Sequence, residues 1–239
     1  MKNTQSGNVL FYVFLAVGLL GALSYVVAQS TRGNISSLSR DKAGLYASEI
    51  IGYGNILSQA VSQIRLRGYN ASEISFENVI VTGYENSDCG VGDCRIFDLS
   101  GGAVHYMVPK AEWLDASQAA NLRYGEVYFH GAAQVLEVGT AQDDLIMFIP
   151  YIKKELCIAI NDKLDITPPA RDVPLETAGP FAINMKFVGA YPDIIDRNVS
   201  GDGSAGVLRG RMVGCTEASG TSSTPPTGSY HYYQVLIAR

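Results

Sequence analysis

An α+β fold, with a long N-terminal helix packed on an antiparallel β-sheet head, is what this chain of 239 residues predicts. Three observations carry that expectation. An uncharged apolar run occupies residues 9–28, apolar residues recur at helical spacing through residues 43–64, and short β-branched and aromatic runs punctuated by glycine and proline begin near residue 70. Helices with one apolar stripe and sheets with one apolar face must bury them against each other, which is the α+β solution.

Residues 9–28 carry no charge and are almost all apolar. At 1.5 Å rise per residue, about 20 residues cross a ~30 Å hydrocarbon core. Lys2 is the one charged side chain before the run, and Arg32 and Arg40 follow it. Three readings fit. The first is a retained stop-transfer anchor. The second is a secretory signal peptide, with Val26 and Ala28 as the small residues before a cut at Gln29. The third is a short basic leader ending in Gly7, with the apolar helix starting at Asn8. Beyond it, Ala43, Ala47, Ile50, Gly54, Leu57, Val61 and Ile64 recur at alternating steps of four and three, one face of an amphipathic helix. Joined, the two halves would make one helix of roughly 60 residues, about 90 Å long.

The head elements follow in order. Residues 74–84 are rich in β-branched and apolar side chains. Residues 95–99 and 103–108 flank Ser100-Gly101-Gly102 and read as a hairpin. Residues 126–130 and 134–138 flank a second turn at Gly131-Ala132. A short apolar run at 145–148 stops before Pro150. Residues 151–162 then read as a helix with Ile152, Leu156 and Ile160 on one face. Pro168, Pro169, Pro174 and Pro180 mark a long connection, and residues 181–188, 206–213 and 230–238 read as further strands. The Gly/Ser/Thr/Pro stretch at 216–228 reads as a surface loop.

Four cysteines are present. Cys89 and Cys94 bracket a tight glycine-containing loop suited to a local disulfide. Cys157 and Cys215 would then pair, closing a loop that chain entropy values at ~4 kcal/mol. The connectivity itself is not deducible from sequence. An even count behind an apolar N-terminus favours an oxidising compartment. Zinc would need two short C-x₂₋₄-C pairs and only one C-x₄-C exists, while buried free thiols are a further alternative.

The net charge of −5, without a basic run, gives nucleic acid no electrostatic footing. Gly201-Asp202-Gly203-Ser204-Ala205-Gly206 matches G-x-G-x-x-G, yet it lacks the preceding strand and following helix of a dinucleotide site. Asp196, Asn198, Ser200 and Asp202 place oxygen ligands at alternate positions, as at the start of a calcium loop, but Val207 stands where the bidentate acid belongs. An Asx-type turn is the competing reading. Calcium is the one cofactor the residues suggest. His105, His130 and His231 lie apart, with no acid or second histidine at ligand spacing. No G-x-S-x-G elbow, P-loop or H-E-x-x-H occurs, so the residues predict no enzyme.

The order of a basic leader, Gly7, an apolar helix and an amphipathic helix resembles the N-terminus of type IV pilins and type II secretion pseudopilins over residues 1–65. The resemblance implies a leader at 1–7 cut by prepilin peptidase between Gly7 and Asn8, then methylation of the new terminus. It implies a transmembrane and filament-core helix at 8–30, an amphipathic helix at 31–68 and a β-rich head at 69–239. Gly18 and Gly21 would permit close helix approach. The family's glutamate at the fifth mature position is Tyr12 here, which implies a minor or tip subunit with no neighbour's terminus to neutralise. In pilin-like heads a disulfide often staples the C-terminal region, and Cys157–Cys215 would be similar. The expected function is therefore a structural subunit of a bacterial filament or secretion apparatus. It would sit as a single-pass protein of the inner membrane, its head in the periplasm or on an extracellular filament. Its partners would be other pilin-like subunits, the inner membrane and prepilin peptidase. The alternative is an anchored periplasmic or extracellular binding module with no filament role.

Overall fold

The computed structural model describes residues 7–168, 171–176, 179, 181, 183–192, 197–201, 206–219 and 225–239. Within the first helix it describes the side chains of residues 11–21 and from 39 onward. The elements are α1 (Gly7–Leu66), β1 (Tyr128–Val135), β2 (Asp144–Ile152), α2 (Lys154–Lys163), β3 (Leu175–Glu176), β4 (Asn198–Val199), β5 (Val213–Ala218) and β6 (Tyr230–Ile237). The chain divides into two compact units, Met1–Lys42 and Ala43–Arg239.

In the first unit, residues 11–21 of α1 are exposed on every side. In the second, the last six turns of α1 bury Ala47, Ile50, Leu57, Val61 and Ile64, the face set by their three- and four-residue spacing. Gly54 allows β6 to come close: a Cβ there would collide with the Gln234 amide. Gln234 uses that proximity. Its Nε2 donates to Asn55 Oδ1 at 3.1 Å and to Ser58 Oγ at 3.2 Å.

The sheet order is β3-β5-β6-β2-β1-β4. The four central strands pair antiparallel, while the outer pairs, β3 with β5 and β4 with β1, are parallel. Every residue of β2 is buried, as expected for a central strand covered on both faces. The sheet curls until its two edges nearly meet. Glu176 of β3 bridges them, its Oε1 accepting from the backbone N–H groups of Ser200, at 2.8 Å, and Gly201, just beyond β4.

This architecture corrects the fold class predicted above. A mixed, nearly closed six-stranded sheet replaces the long helix packed on an antiparallel sheet, because short outer strands return in parallel and Glu176 ties the edges together. Only residues 43–66 of α1 share a unit with that sheet.

Localisation needs correcting too. Among the described residues no helix is long and apolar enough to cross a membrane, so the expected single-pass anchoring in the inner membrane is not supported. Residues 11–21, the apolar stretch whose side chains are described, rise about 16 Å, roughly half of a hydrocarbon core.

Individual elements differ as well. Residues 74–84 and 95–108 form turns and an isolated bridge rather than strands. Residues 126–138 hold one continuous strand with an irregularity between His130 and Ala133, not a hairpin. Pro150 lies inside β2, and α2 starts only at Lys154. Residues 207–210 form a turn, and β5 begins after it.

Candidate functional site

The head carries a groove of about 320 Å³ between three irregular segments, residues 77–80, 95–98 and 104–106. Each is fixed by side chains that take over backbone hydrogen bonds. Asn78 folds its own segment, with Oδ1 accepting from Ile80 N at 2.9 Å and Val81 N at 2.7 Å and Nδ2 donating to Phe76 O at 3.0 Å. This Asx-type turn turns Val79 fully outward and leaves Ile80 exposed. Asp98 closes the next turn, accepting from Ser100 N at 2.9 Å and Ser100 Oγ at 2.8 Å. Those bonds, led by the backbone N–H, hold its carboxyl below the usual carboxylate range. The Cys89–Cys94 disulfide staples the adjoining loop, and Arg67 Nη1 donates to Ser100 O at 2.7 Å.

Aromatic side chains make the floor. Phe97 meets Tyr106 edge-on at 5.5 Å between ring centroids and lies 6.0 Å from Phe129 of the core. The Tyr106 hydroxyl turns inward, donating to Val127 O at 3.0 Å and accepting from Val127 N at 2.8 Å. Arg95 pairs with Glu77 at 3.2 Å across the wall. The exposed His105 ring, by contrast, makes no hydrogen bond to any of the described residues.

The other two histidines are interior. His130 stacks on Phe148 at 4.8 Å, and its Nδ1 accepts from Ala132 N at 3.1 Å where the β1–β2 register shifts. His231 caps a second irregularity. Tyr151 has φ 60°, breaking the β2–β6 ladder, and its N–H turns to His231 Nδ1 at 3.4 Å. Burial lowers both rings to about 3.

Ser229 Oγ lies 2.8 Å from His231 Nε2, a contact that invites comparison with a nucleophile and base. Its polarity is the reverse of that arrangement. Because Nδ1 accepts from Tyr151, Nε2 carries the proton and donates to Ser229, whose own hydroxyl donates to Pro226 O at 2.6 Å. The pair is a buried tie, with Ser229 and His231 only 2% and 1% exposed.

Asp144, also buried, accepts from Val135 N and Arg239 N, each at 2.9 Å, and desolvation raises its carboxyl to about 6. It joins the ends of β1, β2 and β6 rather than facing a ligand.

The residues singled out from sequence are not brought to one place. Gly7 is the first residue of α1, whose second is Asn8. Tyr12 is 61% exposed, and a Cβ at Gly18 or Gly21 would meet nothing within 4 Å. Cys89 bonds to Cys94, and Cys157 on α2 bonds to Cys215 on β5. Of the calcium-loop residues, Asp196 and Asp202 lie outside the described residues. Asn198 is in β4 and Ser200 is held by Glu176 and by Leu208 N, which donates to Ser200 O at 2.9 Å. Residues 1–6 of the leader are likewise outside the described residues. Among the described residues no group of three His, Cys, Asp or Glu side chains is placed to hold a metal.

The groove was missed because its segments read as strands. Asn78 ahead of two β-branched residues, and Asp98 two before Ser100-Gly101-Gly102, were the available signs of turns. No family model, curated protein or solved structure matches the chain.

Proposed function

We propose that this chain is a pilin-like structural subunit, of the minor or tip type, that works by assembly with other subunits rather than by catalysis. The observation that carries the reading is the surface of α1. Phe11, Tyr12, Val13, Phe14, Leu15, Val17, Leu19 and Leu20 are each 49–70% exposed, with no polar face among them. A helix apolar all round must be covered. Leaving these side chains in water forfeits roughly 1 kcal/mol or more apiece, a large sum beside the ~5–15 kcal/mol that holds a domain together. The corresponding helices of neighbouring subunits are the cover this reading supplies. Gly18 and Gly21, with open space around them, would let a second helix approach closely. Tyr12, uncharged at the fifth position after Gly7, needs no ionic partner, which suits a subunit at a filament end.

The test is the intact mass of the chain from its native host, wild type and Gly7→Ala. The reading expects a chain starting at Asn8, N-methylated, and loss of that processing in the variant. An identical mature mass in both would overturn it. A cysteine placed at Leu20 should then give oxidation-dependent cross-links between subunits, whereas cysteine at an exposed head position such as Leu99 should not.

A further inference from the structure

We propose that the groove between residues 77–80, 95–98 and 104–106 binds saccharide, taking one or two pyranose rings. The inference is independent of filament assembly and rests on what the groove presents. Its floor is aromatic and packed in place: Phe97 lies against Tyr106 and Phe129, and Tyr106 is anchored through its hydroxyl to Val127. A fixed aromatic surface suits the C–H face of a sugar ring. Around it stand groups that donate and groups that accept: the Arg95 guanidinium and the free His105 ring, and the Glu77 and Asp98 carboxylates. A vicinal diol does both at once and so satisfies such a mixed rim. Val79 and Ile80 add an aliphatic edge.

Other ligand classes fit worse. An anion would find its one permanent cation, Arg95, already paired with Glu77 at 3.2 Å. A metal ion would find no cluster of three ligands among the described residues. An organic cation would be drawn to Asp98 but would meet the charge of Arg95 beside it, which itself acts on that carboxylate. The volume of about 320 Å³ is at the small end of ligand sites, which excludes a long oligosaccharide from the groove itself.

The experiment is saturation-transfer NMR and isothermal titration of the full chain in a sugar-free detergent. The probes are methyl β-D-glucopyranoside, methyl β-D-galactopyranoside, methyl N-acetyl-β-D-glucosaminide and lactose. At least one should saturate near a dissociation constant of about 1 mM, the level that size scaling sets for a small neutral ligand. His105→Ala, which breaks no hydrogen bond within the protein, and Asp98→Asn, which keeps an acceptor for Ser100, should each weaken it at least fivefold with near-ultraviolet circular dichroism unchanged. Three results would overturn the proposal: no probe saturating by 50 mM, equal affinity in wild type and His105→Ala, or valyl-lysine amide binding more tightly than every glycoside, which would make the groove a peptide site.

Discussion

Lowering the pH from 7 to 5 should destabilise the head by about 3 kcal/mol, and the two interior histidines should account for it. His130 and His231 are fully buried, and burial lowers both rings from the ordinary 6.5 to about 3, with Arg197 adding to the effect at His130. The unfolded chain takes up a proton at each ring as the pH falls through 6.5, while the folded chain does so only near 3. The stability tied to the neutral rings is therefore complete above 6.5 and is lost progressively as the pH falls towards 3. A pH of 5 lies 1.5 units below the unfolded value of each ring, which is worth about 2 kcal/mol, or about 4 kcal/mol for the two. Asp144 has the opposite sign. Desolvation raises its carboxyl from 3.8 to about 6, so the folded state gains a proton first and this contribution grows as the pH falls from 6 towards 4. Between pH 7 and 5 the folded carboxyl crosses about one unit of titration, so that offset is about 1 kcal/mol. The assay is urea unfolding of the full chain at pH 7, 6 and 5, followed by near-ultraviolet circular dichroism, for wild type, His130→Gln and His231→Gln. Each variant should be less stable at pH 7, since Ala132 N or Tyr151 N loses its acceptor. Each should also lose about 2 of those 3 kcal/mol of pH dependence, leaving about 1 kcal/mol. A pH 5–7 difference that is the same in all three proteins would refute the assignment.

Three further perturbations probe the same fold. Replacing Cys157 and Cys215 together by alanine opens a bridge between residues 58 apart and should cost about 4 kcal/mol on the chain-entropy model. The equivalent change at Cys89 and Cys94, five apart, should cost about half that, so equal shifts in urea midpoint would count against loop length as the cause. Gly54→Ala drives a methyl group into the Gln234 amide and should destabilise by about 1–3 kcal/mol, whereas Gly52→Ala, with open space around it, should be neutral or stabilising. Thermal melts of the two variants moving together would contradict this. Glu176→Ala should speed amide exchange at Ser200 and Gly201 while leaving the β2–β6 ladder protected, and unchanged exchange at those two amides would show that the carboxylate does not hold the sheet edges.

The burial face of residues 43–64 was legible because its physics is periodic: Ala47, Ile50, Leu57, Val61 and Ile64 repeat at helical spacing and all are buried. The central strands β2 and β6 were partly legible as apolar runs for the same reason, since nearly every residue in them is covered. The misreadings share a cause, local bonds that override strand-like composition. Residues 74–84 have the side chains of a strand, but Ser75 Oγ takes Glu77 N and Asn78 Oδ1 takes Ile80 N and Val81 N, removing the donors a ladder would use. Gly131 reads as a turn, yet the strand continues through it; a Cβ there would strike Tyr191, Ala190 and Phe187, so the glycine marks a close approach of neighbouring chain instead. Pro150 suggested a strand end, yet it sits beside the positive φ of Tyr151, where the ladder is already broken and no proline N–H is needed.

The candidate groove was hidden for a related reason. Motifs announce sites whose chemistry depends on a fixed spacing along the chain, as metal and phosphate sites do. Here the floor comes from residues 97 and 106, the charged pair from 77 and 95, and the free imidazole from 105. None of these pairs has a spacing that chemistry dictates. They meet because two side-chain-closed turns and one disulfide loop hold irregular backbone against α1, where Tyr53 OH donates to His105 O at 3.2 Å and accepts from Met107 N at 3.1 Å. That anchoring carries a consequence for function. The groove wall at 104–108 is positioned by the same helical face whose burial fixes the head, so a change at Tyr53 should disturb the groove before it unfolds the sheet. Tyr53→Phe removes both bonds and no packing volume. It should weaken any ligand of the groove while leaving the urea midpoint within about 1–2 kcal/mol of wild type, and full retention of binding in that variant would separate the groove from α1.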